Sequence, residues 1–349
     1  MRVAVFLRHH FHDPILRPIA ERLRQQHEVL VSSDKWDLVD FNPHVFVAAE
    51  SLRAFRFHYY LPFTLFVHTR HGLASKGVAL ESARFSHYTC LTSFDMQAWY
   101  ETRRVRPRRD FWVCGYPQMD AAIADPPGST PLPIPPGRKI VLYAPTFQFG
   151  LTSVRMLGAP ALDRLKGGRD AVFVLIKPHP LIAAHHPDWL ENVRAQAAAR
   201  DDVYLARDVD SDLMPFLRAA DVLVSDGSSA LLEFLAFDRP IVLVTNPDRE
   251  KETFYDPSGY EWQWRDMGEE VFDADSVAPA VARALADPAS NGELRRHYRA
   301  RLFGDLLDGR SNDRISRRID RLQYEIAGPR RMALARSWAR LARALSGRN

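Results

Sequence analysis

The stretch Ser225-Asp226-Gly227-Ser228-Ser229 gathers a glycine, a carboxylate and three hydroxyls into five residues, between an apolar run and a helical pattern over 228–237. Free N–H groups, short hydroxyl donors and the positive end of a helix dipole make a cradle for a phosphate group. The same residues also read as a plain N-cap, because Ser and Asp are favoured there in any helix. Glu233, further along the pattern, faces either the turn or solvent. Lys177-Pro178-His179-Pro180 holds a cation and an imidazole between two prolines, which restrict the loop and lower the entropic cost of fixing both side chains. Beside the serine turn, Lys177 and His179 make a diphosphate clamp. Thr146, in Ala144-Pro145-Thr146-Phe147, adds a hydroxyl, and Thr69-Arg70-His71-Gly72 adds a second imidazole at the end of an apolar run, with Lys76 following. Asp308-Gly309-Arg310-Ser311-Asn312 forms a tight polar turn before a charged helix.

Other chemistries lack their residues. There is no HExxH, cysteine-rich zinc spacing or EF-hand loop. Nor is there a GxxxxGK[ST], or a GxGxxG after the first strand. His9, His10 and His12 crowd the end of the first strand, and His185 and His186 adjoin. No carboxylate or cysteine shares their spacing, so no metal site is expected. Glu250, Glu252, Glu269 and Glu270 read as solvated loop positions.

Each polar cluster follows a short apolar run, and these runs define the scaffold. Runs at 2–7, 28–32, 45–49, 63–68, 88–92 and 111–114 predict strands, with helices at 14–26 and near 93–103. Residues 50–62, aromatic and basic, read as a loop packed on the core, or else as part of an acceptor or membrane surface, with packing favoured. Six prolines in 124–138 exclude a helix or interior strand and predict a linker. The pattern restarts with strands at 140–143, 172–176, 203–205, 222–225 and 241–244, and helices near 189–200, 211–220 and 229–237. Helices at 276–287, 291–303 and 311–326 then close the second half. Strands alternating with helices predict doubly wound parallel sheets with ligands at the strand carboxyl ends. The expected division is 1–123, a linker at 124–138, 139–326, and a tail at 327–349.

The chain has 349 residues, 46% of them hydrophobic, enough for two domain cores. Cys90 and Cys114 lie in apolar runs and predict buried thiols in a reducing compartment, so the chain is expected to be cytoplasmic. The N-terminal apolar run is too short for a signal peptide, and no run reaches the ~20 residues that span a bilayer. The formal charge of +4 conceals an asymmetry: residues 327–349 hold six arginines and no acid, leaving a net −2 on the rest. That body excludes a basic nucleic-acid surface. In the tail, Leu334, Trp338, Leu341 and Leu345 form one helical stripe, with Arg336, Arg340 and Arg343 on the other side. Such a basic amphipathic helix suits peripheral attachment to the inner face of an anionic membrane, or docking on the first domain.

The ordered set HG…K at 71–76, GYP-x-x-D at 115–120, YAPTF at 143–147, KPHP at 177–180, SDGSSALLEFLAFDRPIVLV at 225–244 and DGRSNDRI at 308–315 resembles the CDP-glycerol glycerophosphotransferases of teichoic acid and capsule synthesis. The resemblance implies a GT-B-like fold of two Rossmann-like domains facing a cleft, the second holding the nucleotide. It implies transfer of a polyol phosphate from CDP-glycerol or CDP-ribitol to a glycan or lipid-linked hydroxyl, with CMP leaving and no cofactor. In that scheme His71 is the general base, His179 and Lys177 neutralise the diphosphate, and Ser228 and Ser229 bind its oxygens. Thr146, Asp308 and Ser311 are further donor contacts, and Asp226 and Glu233 hold the ribose or orient His179. The chain departs from the family pattern at Arg70, Leu73-Ala74 and Gln118-Met119. Another GT-B enzyme, such as a sugar-nucleotide glycosyltransferase or UDP-sugar 2-epimerase, stays open, as do a non-catalytic scaffold and a homo-oligomer.

Overall fold

The computed structural model describes residues 1–74, 77–124, 132–158, 161–169, 171–253 and 255–345. Among these residues, twelve short strands form two six-stranded sheets, parallel throughout. In the first sheet these are β1 (Arg2–Phe6), β2 (Glu28–Ser32), β3 (Val45–Ala48), β4 (Leu65–His68), β5 (Tyr88–Leu91) and β6 (Asp110–Val113), in the order β2-β1-β3-β4-β5-β6. In the second they are β7 (Lys139–Tyr143), β8 (Val172–Ile176), β9 (Val203–Leu205), β10 (Val222–Ser225), β11 (Ile241–Val244) and β12 (Glu269–Val271), in the order β12-β11-β10-β7-β8-β9. The continuous apolar character of β3, β4, β10 and β11, rather than alternation, reflects burial on both faces. This is the α/β, GT-B-like architecture.

One compact unit comprises Met1–Gly72, Gly77–Ala124 and Arg301–Asn349; the other comprises Leu73–Lys76 and Asp125–Ala300. The expected boundary at 326 therefore moves. The helix Ser311–Arg321 buries Ile315 and Ile319 in the same cluster as Val3, Ile19, Val45 and Val67, so it belongs with the first sheet. Its amphipathic pattern is visible in sequence, whereas the sheet it covers is not. Of the expected linker, residues 125–131 lie outside the described residues. Within 50–62, Leu52, Phe57, Tyr60 and Leu61 are buried, as the expected packing requires, but Phe57–Tyr60 is a short helix and not loop. Cys90 and Cys114 are buried free thiols.

The tail is part of the first unit too. The helix Pro329–Leu345 buries Met332, Ala335, Ala339 and Ala342, spaced 3, 4 and 3, while Leu334 and Leu341 are 64% and 54% exposed. Docking thus uses the small-residue stripe and not the leucine stripe. The Trp338 Nε1–H donates to the Tyr59 carbonyl at 2.7 Å, and Arg343 pairs with Asp40 at 2.8 Å. The Leu345 side chain lies outside the described set. No helix among the described residues is long and apolar enough to cross a membrane.

Candidate functional site

In the second sheet the connections leaving β7 and β10 run in opposite directions along the strand order, which makes the gap beyond their carboxyl ends a topological switch point. With β8 beside β7, three neighbouring strand ends carry most of the predicted residues. Thr146 follows β7, Lys177 and His179 follow β8, and Asp226, Ser228 and Ser229 follow β10.

Asp226 is fully buried and ties two of these loops together. Its Oδ1 accepts the Thr146 N–H at 2.9 Å, and its Oδ2 accepts both the N–H and the hydroxyl of Ser153 at 2.8 Å. Thr146 is equally buried, its hydroxyl donating to Gln148 at 2.7 Å and its carbonyl accepting from Thr152. The helix after the turn is shorter than 228–237: Ala230–Phe234 is α-helical and Leu235–Phe237 a 3-10 turn. Its dipole is correspondingly small, because that term grows from aligned peptide units. The N-cap position is Ser229, whose side chain makes no capping bond; the Ser228 hydroxyl instead accepts the Ala230 N–H at 3.3 Å. Glu233 is buried, which removes the solvent-facing alternative. Gly227 is required by space: a Cβ there would stand 2.7 Å from the Trp262 ring.

Lys177 is 4% exposed, and burial pushes its ammonium down to about 8 against the pull of Asp212, Asp208 and Asp210. It donates to the Val209 carbonyl at 2.6 Å and the Pro178 carbonyl at 3.3 Å. His179 is half-buried, its ring 4.5 Å from that of Phe147. Its Nδ1 accepts the Leu181 N–H at 3.1 Å, which puts the proton of the neutral ring on Nε2. An Nε2–H is a donor of the kind a phosphoryl oxygen accepts.

Sequence reasoning missed Arg265. Its buried guanidinium donates to the Asp226 carbonyl at 3.0 Å and to Glu270 at 2.9 Å, beneath the serine turn. Glu270 is thus a partner of Arg265, and Glu269 a partner of Arg283; both lie on β12 and not in a solvated loop. Glu252 likewise accepts the Gly150 N–H at 2.6 Å. None of these pairs falls at a helical i,i+3 or i,i+4 spacing that would announce it in the sequence.

Asp308 and Ser311 belong to the first unit, whereas Thr146, Lys177, His179, Asp226, Ser228 and Ser229 belong to the second. Arg314 holds the Asp308 carboxyl below its usual range. The N–H groups of Ser311 and Asn312 donate to the two Asp120 oxygens at 3.0 and 2.7 Å, so Asp120, the acid of the GYP-x-x-D stretch, anchors the start of that helix.

His71 also lies in the first unit, after β4. Its Nδ1–H donates to the Ala49 carbonyl at 2.7 Å, which leaves Nε2 as the basic nitrogen. Before it, Arg70 takes a left-handed φ of 63° and is buried, donating to the Gly72 carbonyl through Nε (3.3 Å) and Nη2 (3.1 Å), and to Tyr100 at 2.7 Å. The departure at Arg70 therefore fixes the turn that presents His71. Lys76 lies outside the described residues.

Two parallel α/β units with polar groups at the strand carboxyl ends define a GT-B-like protein. The chain belongs to the CDP-glycerol:poly(glycerophosphate) glycerophosphotransferase family, whose model matches residues 27–321. Over 116 residues it is 32% identical to the teichoic acid glycerol-phosphate primase of Bacillus spizizenii (strain ATCC 23059 / NRRL B-14472 / W23), which covers 32% of this chain and 27% of that protein. The chain thus matches only about a quarter of that curated relative's length. In fold it is similar to the wall teichoic acid polymerase TagF, with a TM-score of 0.67 and 14% identity over 93% of this chain and 89% of that one. It is also similar to the UDP-GlcNAc 2-epimerase of Neisseria meningitidis, with a TM-score of 0.60 and 11% identity over 92% and 100%.

Proposed function

We propose that this chain transfers a polyol phosphate, glycerol phosphate first, from a CDP-activated donor to a hydroxyl of a glycan or lipid-linked acceptor, releasing CMP. The observation that supports the reading is that Lys177 and His179 follow β8 while Ser228 and Ser229 follow β10, the two strands that flank β7. In the proposed step, the His71 Nε2 takes the acceptor proton as its oxygen bonds to the β-phosphorus. The P–O bond to CMP breaks, and CMP carries the electron pair away. Such a transition state gains most from charge neutralisation, supplied here by the Lys177 ammonium and the His179 Nε2–H, with serine donors on the oxygens. No resident cofactor enters the scheme.

The test is a calorimetric screen with CDP-glycerol, CDP-ribitol, CMP, UDP and UDP-GlcNAc, followed by a CMP-release assay. Preferential binding of the cytidine compounds and CMP release with an acceptor are expected. A preference for uridine compounds would overturn the reading in favour of the sugar-nucleotide or epimerase alternative. Binding without turnover would favour the scaffold.

The proposed site of action is the cytoplasmic face of the membrane. The tail supports it, because docking through alanines leaves Leu334, Trp338 (38% exposed) and Leu341 outward on a helix rich in arginine. Flotation with anionic vesicles should recover the full chain and lose the triple variant Leu334→Ser, Trp338→Ser, Leu341→Ser. Equal flotation of both would exclude this surface.

A further inference from the structure

We propose that His12, Glu50 and His71 form a binding site for one divalent cation of the zinc class. His12 ends the 3-10 turn His10–His12 after β1, Glu50 follows β3, and His71 follows β4. Because β1, β3 and β4 are neighbours, three residues distant in sequence meet at one end of the sheet. One ligand atom from each lies within 4.8 Å of the others. The His12 Nε2 to Glu50 Oε1 separation is 3.4 Å. That is close to the roughly 3.3 Å edge of a tetrahedron with zinc–ligand bonds of about 2.0–2.1 Å.

Two independent observations point to a ligand. The His12 side chain is fully buried, and neither ring nitrogen has a hydrogen-bond partner, a costly state for a buried polar group. His71 donates its Nδ1–H to the Ala49 carbonyl, the outer-shell bond that orients metal-bound imidazoles and leaves Nε2 to ligate. Two imidazoles and one carboxylate are a zinc donor set with an open fourth position. His9 Nε2, 3.9 Å from Glu50 Oε1, stands at the rim.

The site rests on first-unit geometry and not on the transferase reading. If both hold, zinc takes the Nε2 lone pair that the base needs, and added zinc inhibits transfer. The test uses the full chain freed of metal by chelator and dialysis. Zinc is titrated by calorimetry, and cobalt by its visible absorption. One-to-one binding with a tetrahedral or five-coordinate cobalt band is expected. Glu50→Gln and His71→Asn should each weaken binding about tenfold or more, with circular dichroism verifying the fold. His10→Ala, adjacent and exposed, should bind as the unaltered chain does. Absence of heat and of a cobalt band would overturn the proposal, as would binding undiminished in both ligand variants. Neither readout involves a nucleotide, so a failed transferase reading leaves this result intact.

Discussion

Lys177 and His179 sit two residues apart, yet their loop treats them differently. His179 stays half in solvent with its donor nitrogen set by Leu181, whereas Lys177 is sealed under two carbonyls with its ammonium pushed down to about 8. Below that pH the lysine is a cation and attracts a diphosphate; above it the attraction is lost. Affinity for CDP-glycerol, measured by calorimetry from pH 7 to 9.5, should therefore decline above about pH 8, by at most about tenfold per unit. Lys177→Met should bind more weakly at pH 7 and show a flatter profile. A flat profile in the unaltered chain would remove Lys177 from the donor site. Asp226 carries a different expectation, since its oxygens serve Thr146 and Ser153. Asp226→Ala strands three buried donors and should cost on the order of 3 kcal/mol in urea unfolding. An unchanged midpoint with lost donor affinity would make it a ligand contact instead. The polar types and their strand-end positions were legible in the sequence. The partners of Asp226, and the arrival of Glu50 beside His12, were not, because spacing along the chain carries no information about which strands become neighbours.

At the scale of elements, eleven of the twelve strands coincide with apolar runs, since strands buried on both faces need no alternation to be seen. The exception is β12, whose Glu269 and Glu270 read as loop until Arg283 and Arg265 are placed against them. Helix Ser311–Arg321 was legible as a helix but not in its allegiance, which depends on Ile315 and Ile319 meeting the first sheet. Its start depends on Asp120, whose carboxylate receives two N–H groups there. Asp120→Ala should destabilise the first unit by about 1–2 kcal/mol through loss of that cap. Asp120→Asn, which keeps an acceptor, should cost less. Urea midpoints of the two variants distinguish this anchoring from a direct part in turnover, because an anchor leaves affinity for the nucleotide unaltered in the folded protein.

For the whole molecule, the division of labour follows from which segments of the chain build each unit. The polypeptide leaves the second sheet and returns at Arg301 to finish the first unit with two helices, the last lying over Leu38, Val39, Phe57 and Tyr60 through Ala339 and Ala342. A basic amphipathic tail was plain in sequence. Its docking face was not, because the leucines dominate any count of hydrophobicity while small alanines allow the close approach. Removing residues 329–349 uncovers that apolar patch and deletes the Trp338–Tyr59 and Arg343–Asp40 contacts. The shortened chain should unfold several degrees lower, a few kcal/mol corresponding to roughly 2–4 °C each for units of this size. Lys177, His179, Ser228 and Ser229 all belong to the other unit, so CDP-glycerol affinity measured below the transition should stay within about twofold of the full chain. Replacing only Leu334, Trp338 and Leu341 by serine should lower the transition far less than truncation, because two of the three are largely exposed. If the triple variant fell as far as the truncation, the leucine stripe would be the docking face, and the outward surface proposed for the membrane would lose its basis.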